Sequence, residues 1–380
     1  MHLPFRDFHI LRFFQQWWPN KHTTALRALD KALYLYFREN KSLGAKDREF
    51  IAQTVYQCIR WKTTLDALCQ QEPTWEERLE LFHQGALNDL KHLKVHEQVG
   101  MPEEFFQIVE KDFGTEEAIR LSKILQETAP VFIRANRLKI TRDELLKILP
   151  DSWQAKASNF QDSICLGVRA AVFQSEAFKN GFFEMQDEGS QVLADCVDCH
   201  PGDWVLDYCA GSGGKSLALA AKLNHKGQIF LHDIRLHALA EARKRLKRAG
   251  IQNAQLLDPE HRQLKRLKKS CDWVLVDAPC SGSGTLRRNP DMKIRLTGEY
   301  IKDLVELQRK IVAQAIEYLK PSGILAYATC SFLKAENEDQ LEYFLYEHSL
   351  EIFKKELKLL PSRASHDGFY CVLLRKKQAI

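Results

Sequence analysis

The sequence predicts an α/β protein built on a doubly wound parallel sheet. Three observations predict it. From about residue 187 onward, short apolar runs alternate with amphipathic helical stretches, which is the pattern of a parallel sheet covered on both faces. Those runs end in Asp or Cys, or run into a glycine-rich turn, and these are the residues that chemistry would place at the carboxyl ends of strands, where such sheets bind ligands. Finally, 380 residues exceed one ordinary core, so two or three domains are expected.

The elements follow in order. Residues 1–125 read as an all-helical domain, with apolar positions at helical spacing: Ala25, Leu26, Leu29, Leu33 and Phe37, then Phe50, Ile51, Val55 and Ile59. Trp17, Trp18 and Trp61 are expected in its core. Residues 126–186 read as a small α+β module: "VFIRANRL" as a strand, "TRDELLKILP" as a helix capped by Thr141, and "AVFQS" and "GFFEMQ" as short strands. Residues 187–380 hold the sheet. Its strands are "DWVLDYC" (203–209), "GQIFLHD" (227–233), "AQLLD" (254–258), "DWVLVD" (272–277) and "GILAYATC" (323–330). The helix "EYIKDLVELQRKIVAQAIEYLK" presents Ile301, Leu304, Val305, Val312, Ile316 and Leu319 on one side and is expected to stop at Pro321 and Gly323. "DGFYCVLLRK" suits one more strand, antiparallel and at the edge.

Composition narrows the function classes. The apolar content of 45% is that of a globular protein. No apolar run reaches the ~18 residues of a bilayer span, and the opening lacks an export signal, so a cytoplasmic protein without membrane attachment is expected. Ten cysteines without framework spacing should then stay reduced. "CVDCH" (196–200) matches the c-type haem attachment pattern, but attachment requires export. Cys280 and Cys330 have no second ligand at metal-binding spacing, so no metal is expected, and reactive thiols remain as the reading. The net charge of +5 permits nucleic-acid binding. The basic stretches 235–250 and 261–270 are expected to be solvated faces. "LRRNPDMKIR" differs, because Arg287 and Arg288 follow the first cysteine motif directly and would meet a passing polyanion.

An adenosine pocket is legible at three strand ends. The first strand runs into "CAGSGGKS", a glycine-rich turn in which Cys209, Ala210, Gly211, Ser212, Gly213, Gly214 and Lys215 let backbone N–H groups approach a ligand. The second ends in Asp233, about 20 residues on, where a carboxylate can accept from ribose hydroxyls. The third ends in Asp258, able to accept from an exocyclic amine. A dinucleotide and S-adenosylmethionine both fit such a pocket, although the third glycine of the dinucleotide fingerprint is missing, and a Walker A loop is absent.

"DAPCSGSGTLRRNPDMK" and "YATCSFLKAENEDQ" together resemble the Sun/Nop (Fmu-like) family of RNA (cytosine-5) methyltransferases, closest to its bacterial 16S ribosomal RNA members, in which one motif carries Pro-Cys and a later one Thr-Cys. "FFEMQDEGSQ", "DYCAGSGGKS", "FIRANRLK" and "HDGFYCVLLRK" look like the family's entry segment, cofactor loop, RNA-binding module and closing strand, and "LGAKDREFIAQTVYQCIRW" looks like its NusB-like helical domain. The resemblance implies a Rossmann-like methyltransferase sheet, S-adenosylmethionine as cofactor and RNA as partner, with Arg134 and Asn136 among the contacts of the small module. It also implies Cys330 as nucleophile, Cys280 as the residue needed for release, and Lys215 as the lysine that approaches the target base. One departure stands out: Gly211-Ser212 occupies the place of the family's Ala-Pro, and losing a proline predicts a less rigid loop.

The chemistry gives its own reason for two thiols. Carbon 5 of cytosine is a poor nucleophile until a thiolate adds to carbon 6, and the resulting adduct must later lose the carbon 5 proton and expel the sulfur. Asp277, three residues before Cys280, is placed to bond the ring's N3 and amino edge. The base must leave any stack to be reached, so single-stranded or flipped RNA is the expected substrate. Ribosomal RNA is the expected partner of a monomeric enzyme, and transfer RNA would change only the partner. An inactive RNA-binding assembly factor is the alternative of another class, although binding alone requires no thiol.

Overall fold

A computed structural model of the chain describes residues 4–18 and 27–377, so Ala25 and Leu26 lie outside the described residues. These residues form two compact units: one runs to Thr128 and also takes in Thr285–Tyr300, and the other comprises Ala129–Gly284 and the chain from Ile301 onward.

The first unit is helical: α1 (Phe5–Trp17), α2 (Leu29–Glu39), α3 (Ala45–Arg60), α4 (Lys62–Leu68), α5 (Trp75–His83), α6 (Val95–Gln98), α7 (Glu103–Phe113) and α8 (Thr115–Leu125). Helical spacing explains its core. Ile51, Val55 and Ile59 of α3 are fully buried against α1, whose Phe14 stacks on Trp75 with ring centroids 3.7 Å apart. Trp17 is buried in this core, while Trp18 and Trp61 are half-buried. The segment after the first cysteine motif completes the unit. There Lys293 is buried and donates to the carbonyls of Arg60 and Gly100, the latter at 2.7 Å, and burial pushes its ammonium pKa well down. Arg60 in turn donates to the carbonyls of Arg287 (2.9 Å), Leu125 and Glu127 (both 3.2 Å).

The second unit opens with the small module: β1 (Val131–Ala135), α9 (Arg142–Ile148), β2 (Lys156–Ala157), β3 (Ser163–Leu166), α10 (Glu176–Lys179) and β4 (Phe183–Met185). Its strands form an antiparallel sheet in the order β2-β3-β1-β4. Thr141 caps α9 in a reciprocal box with Glu144, as its position predicts. "AVFQS", however, is a 3-10 turn at Val172–Gln174, and β2 and β3, at two and four residues, are too short to stand out as strands.

The rest of the unit, built around the larger sheet, runs through α11 (Glu188–Cys196), β5 (Trp204–Asp207), α12 (Gly214–Leu223), β6 (Gln228–His232), α13 (Leu236–Ala249), β7 (Ala254–Leu257), α14 (Arg262–Arg266), β8 (Cys271–Asp277), α15 (Gly298–Ala315), β9 (Leu319–Thr329), α16 (Glu338–Glu347), β10 (Leu350–Leu359) and β11 (Phe369–Lys376). The strand order is β10-β11-β9-β8-β5-β6-β7, with β5 to β9 parallel. Cores lie on both faces, with Leu217, Leu219, Leu239 and Leu246 on one and Leu264, Val312 and Phe344 on the other. The chain adds β6 and β7 on one side of β5, then returns to add β8 and β9 on the other. The carboxyl ends of β5 and β8 therefore meet at the reversal of strand order, where such sheets bind ligands.

Two boundaries differ from the sequence reading. The long helix ends at Ala315, and Pro321 and Gly323 lie inside β9, where the pairing with β8 jumps from Leu319 to Ile324 and so needs no ladder bond from the proline. The closing strand β11 is antiparallel but internal, and the edge belongs to β10, whose lysines and glutamates hid it from an apolar-run reading.

Candidate active site

The loop after β5 is shaped by two left-handed glycines, Gly211 (φ 54°) and Gly213 (φ 78°), and a Cβ on Gly213 would lie 3.2 Å from Leu231. Ala210 N–H donates to the His232 carbonyl (2.9 Å) and Gly211 N–H to Asp233 Oδ2 (2.8 Å), which ties the turn to the end of β6. Ser212, standing where a proline was expected, is held another way. Arg245 of α13 donates to its carbonyl (3.0 Å) and its hydroxyl (2.8 Å), and Arg245 is itself fixed by buried Glu184 at 3.1 Å. Two hydrogen bonds from one guanidinium thus anchor the Ser212 position of the loop.

Asp233 is buried and accepts from the Arg235 backbone (2.8 Å) and from its guanidinium at both oxygens (2.9 Å each). Burial pushes against ionisation, but these donors and Gly211 N–H hold the carboxyl below its usual range. The Arg235 side chain is itself 58% exposed. Beside it Ile234 is 77% exposed, an apolar side chain at the mouth of the loop that sequence reading passed over. Asp258 is half-buried just past β7 and accepts from Glu260 N–H at 3.0 Å.

Asp207, at the end of β5, was also missed. It is 1% exposed, accepts from Ser216 Oγ at 2.6 Å through Oδ2, and leaves Oδ1 without a hydrogen-bond partner among the described residues. Burial pushes its pKa up to about 7, with nearby Asp277 and Asp233 adding to the effect.

The two thiols converge. Cys280 Sγ lies 3.3 Å from Cys330 Sγ, both half-buried, and both free, since a disulfide would hold its sulfurs about 2.05 Å apart. The hydrogen bond to Cys330, then burial, raise the Cys280 pKa well above that of an ordinary thiol. Lys215 Nζ lies 2.5 Å from Asp277 Oδ2. Burial opposes the Lys215 charge, but Asp277 and Cys330 outweigh it and raise the ammonium pKa.

A buried polar frame behind the thiols carries their loops. Glu336, wholly buried, accepts from Ser281 N–H (2.8 Å), Ser281 Oγ (2.5 Å) and Gln308 Nε2 (3.0 Å). Ser283 Oγ and Ser331 Oγ lie 2.9 Å apart, linking the two cysteine turns, and Gly284 N–H donates to the Cys330 carbonyl at 3.0 Å. The serines of "CSGSG" and "TCS" are therefore struts. Their spacing carries no signal that separates a strut from a flexible loop residue.

Three expected RNA contacts lie buried in the fold. Arg287 is 1% exposed within the helical unit, which leaves no face for a phosphate. Arg134 is buried, donating to Gln186 and to the Gly214 carbonyl (3.3 Å), and Asn136 bridges the carbonyls of Gly181 (2.9 Å) and Ala249 (3.0 Å). These side chains are consumed in packing the small module. Arg288 remains half-buried. In "CVDCH", Cys199 belongs to the core, where burial pushes its pKa up to about 12.

A family model described as 16S rRNA methyltransferase RsmB/F matches residues 194–375. Over 314 residues the chain is 30% identical to the "Probable ribosomal RNA small subunit methyltransferase B" of Synechocystis sp., covering 76% of this chain and 69% of that protein. The chain belongs to the 16S rRNA methyltransferase RsmB/F family. It is likewise 30% identical over 313 residues to the ribosomal RNA small subunit methyltransferase B of Serratia proteamaculans, covering 78% of this chain and 70% of that one. Among the aligned relatives, the chain spans 59% to 70% of their length. A solved methyltransferase homologue from Pyrococcus horikoshii shares the fold with a TM-score of 0.66 at 27% identity, over 74% of this chain and 98% of that one.

RsmB/F proteins are methyltransferases that use S-adenosylmethionine, and the residues present fit that cofactor. Two left-handed glycines bare the backbone of the turn, a carboxylate waits at the end of β6, and Ile234 offers an apolar face beside it. No helix among the described residues is long and apolar enough to cross a membrane.

Proposed function

We propose that this RsmB/F protein methylates carbon 5 of a cytosine in 16S ribosomal RNA through a covalent cysteine adduct. The observation that carries the reading is the 3.3 Å approach of Cys280 and Cys330 beside the Lys215–Asp277 pair at the reversal of the sheet. The relatives, named as small-subunit ribosomal RNA methyltransferases, support the choice of RNA.

S-adenosylmethionine, bound at the glycine turn, supplies an electrophilic methyl group. Gly211 to Gly214 would face its amino-acid portion, Asp233 its ribose and Asp258 its adenine amine, with Arg235 turning away to release the Asp233 oxygens. The Cys330 sulfur adds to carbon 6 and the ring's electron pair moves to carbon 5, which takes the methyl group. A base then takes the proton from carbon 5, the electron pair left behind re-forms the carbon 5–carbon 6 double bond, and the Cys330 sulfur leaves as a thiolate, restoring the aromatic ring. By the family's motif order, Cys330, in the later Thr-Cys motif, is the nucleophile, and Cys280, in the Pro-Cys motif, is the thiol needed for release. Asp277 holds the Lys215 ammonium in place while facing the cytosine edge.

The test uses both single variants with cofactor and RNA lacking the modification. Cys330→Ala should abolish methyl transfer, whereas Cys280→Ala should accumulate a protein–RNA adduct that survives a denaturing gel. Normal 5-methylcytosine formation by both, read by bisulfite sequencing, would refute the mechanism.

A further inference from the structure

The sheet ends at β7, and the chain's positive charge gathers around that edge. Residues 235–270 hold eleven Lys and Arg against three acids, Glu241, Asp258 and Glu260, a net of +8 within a chain whose total is +5. The rest of the molecule is therefore net negative, at −3. Helical position sorts these cations. Arg245 and Arg248, three residues apart, both meet buried Glu184 and so serve the fold. Arg235, Lys244 and Lys268 each have a carboxylate partner.

Six are left over. Arg243 and Lys247 on α13, Arg262, Lys265 and Arg266 on α14, and Lys269 after it are all exposed, and no carboxylate pairs with them among the described residues. Arg243 and Lys247, four apart and so on one face of the helix, line a groove of about 490 Å³ with Leu256 of β7 and His261. A helix needing only solvation would intersperse acids at that spacing, yet α13 contains one, Glu241. Clustered, unpaired like charges cost repulsion unless an anion offsets them.

We propose that this edge is a phosphate-binding track for RNA, separate from the pocket that takes the target base. α13 packs on one face of the sheet and α14 on the other, so the six cations straddle β7 from both sides. An acidic peptide pairing with the strand edge would address only one line of groups. A sugar–phosphate backbone crossing the edge can meet both rows, and the groups it meets would position the RNA without reading its sequence. The proposal rests on the reading of RNA as substrate and adds where the RNA outside the target base lies.

The test compares the full chain with the triple variant R243Q/K247Q/R266Q, binding protein-free 16S ribosomal RNA over a range of KCl concentrations. The plot of log affinity against log salt should flatten by about 2 to 3, and affinity near ~100 mM salt should fall about tenfold or more. R243K/K247R/R266K should restore both. Methyl transfer to a saturating, short cytosine-containing RNA should be unchanged, because none of the three residues touches the thiols. An unchanged salt slope would overturn the proposal, as would loss of poly-glutamate binding with RNA binding intact, which would assign the groove to an acidic protein segment. Failure of the catalytic reading shows separately, as a wild-type protein that binds RNA with the steep slope but forms no 5-methylcytosine.

Discussion

Replacing Asp207 by Asn should stabilise the protein above neutral pH and leave it unchanged in acid. Asp207 is buried at the end of β5 with one oxygen unpartnered among the described residues, and burial raises its pKa from 3.8 to about 7. Because the folded-state value lies above the unfolded one, its contribution is fully present below about pH 3.8 and is lost as pH rises through about 7. With ~1.4 kcal/mol per pKa unit, linkage gives a wild-type loss of about 2 to 3 kcal/mol between pH 5 and pH 8 that the amide cannot share. Asn keeps the shape and can accept from Ser216 through its carbonyl oxygen. The assay is urea unfolding of both proteins at pH 5, 6, 7 and 8, taking the difference between them so that every other titrating group cancels. A gap that widens with pH in favour of the variant bears the reasoning out. Parallel curves would mean that Asp207 is ionised in the fold throughout this range, and the desolvation argument would be wrong.

Two further substitutions probe the frame behind the thiols. Glu336→Ala strips acceptors from Ser281 N–H and Gln308 Nε2 in a buried site, at about 1 to 3 kcal/mol for each orphaned donor, and should lower both the melting temperature and methyl transfer; Glu336→Gln should keep part of each. In Gly284→Ala the new Cβ would meet the Gly368 carbonyl oxygen at 2.3 Å, both groups being backbone. That overpacking should cost about 1 to 3 kcal/mol and spread the Cys280 loop from β11, so methyl transfer should fall even at temperatures where circular dichroism reports a folded protein. Unchanged activity in Gly284→Ala would show that the thiol geometry tolerates displacement.

The parts of the fold that were legible are those whose burial is local. β5, β6 and β8 are apolar runs largely buried in the sheet, and residues at the strand ends were readable because a parallel sheet forces its ligands to that side. Cys280 and Cys330 were legible for the same reason, being delivered by adjacent strands β8 and β9. What stayed hidden was decided by partners distant in sequence. Arg287 resembles a phosphate contact as a charge in a loop, yet its segment packs within the helical unit, more than 200 residues earlier in the chain. Glu336 resembles a surface acid between Ala335 and Asn337, yet it receives Ser281 from 55 residues away. The same logic separates the basic stretches. Arg245 and Lys247 are equivalent by composition, and only the position of Glu184, 61 residues before Arg245, makes the first a strut while the second stays available. A charge in a sequence is thus ambiguous until its counter-ion is located, and the six cations left without one at β7 are informative because the others have found theirs.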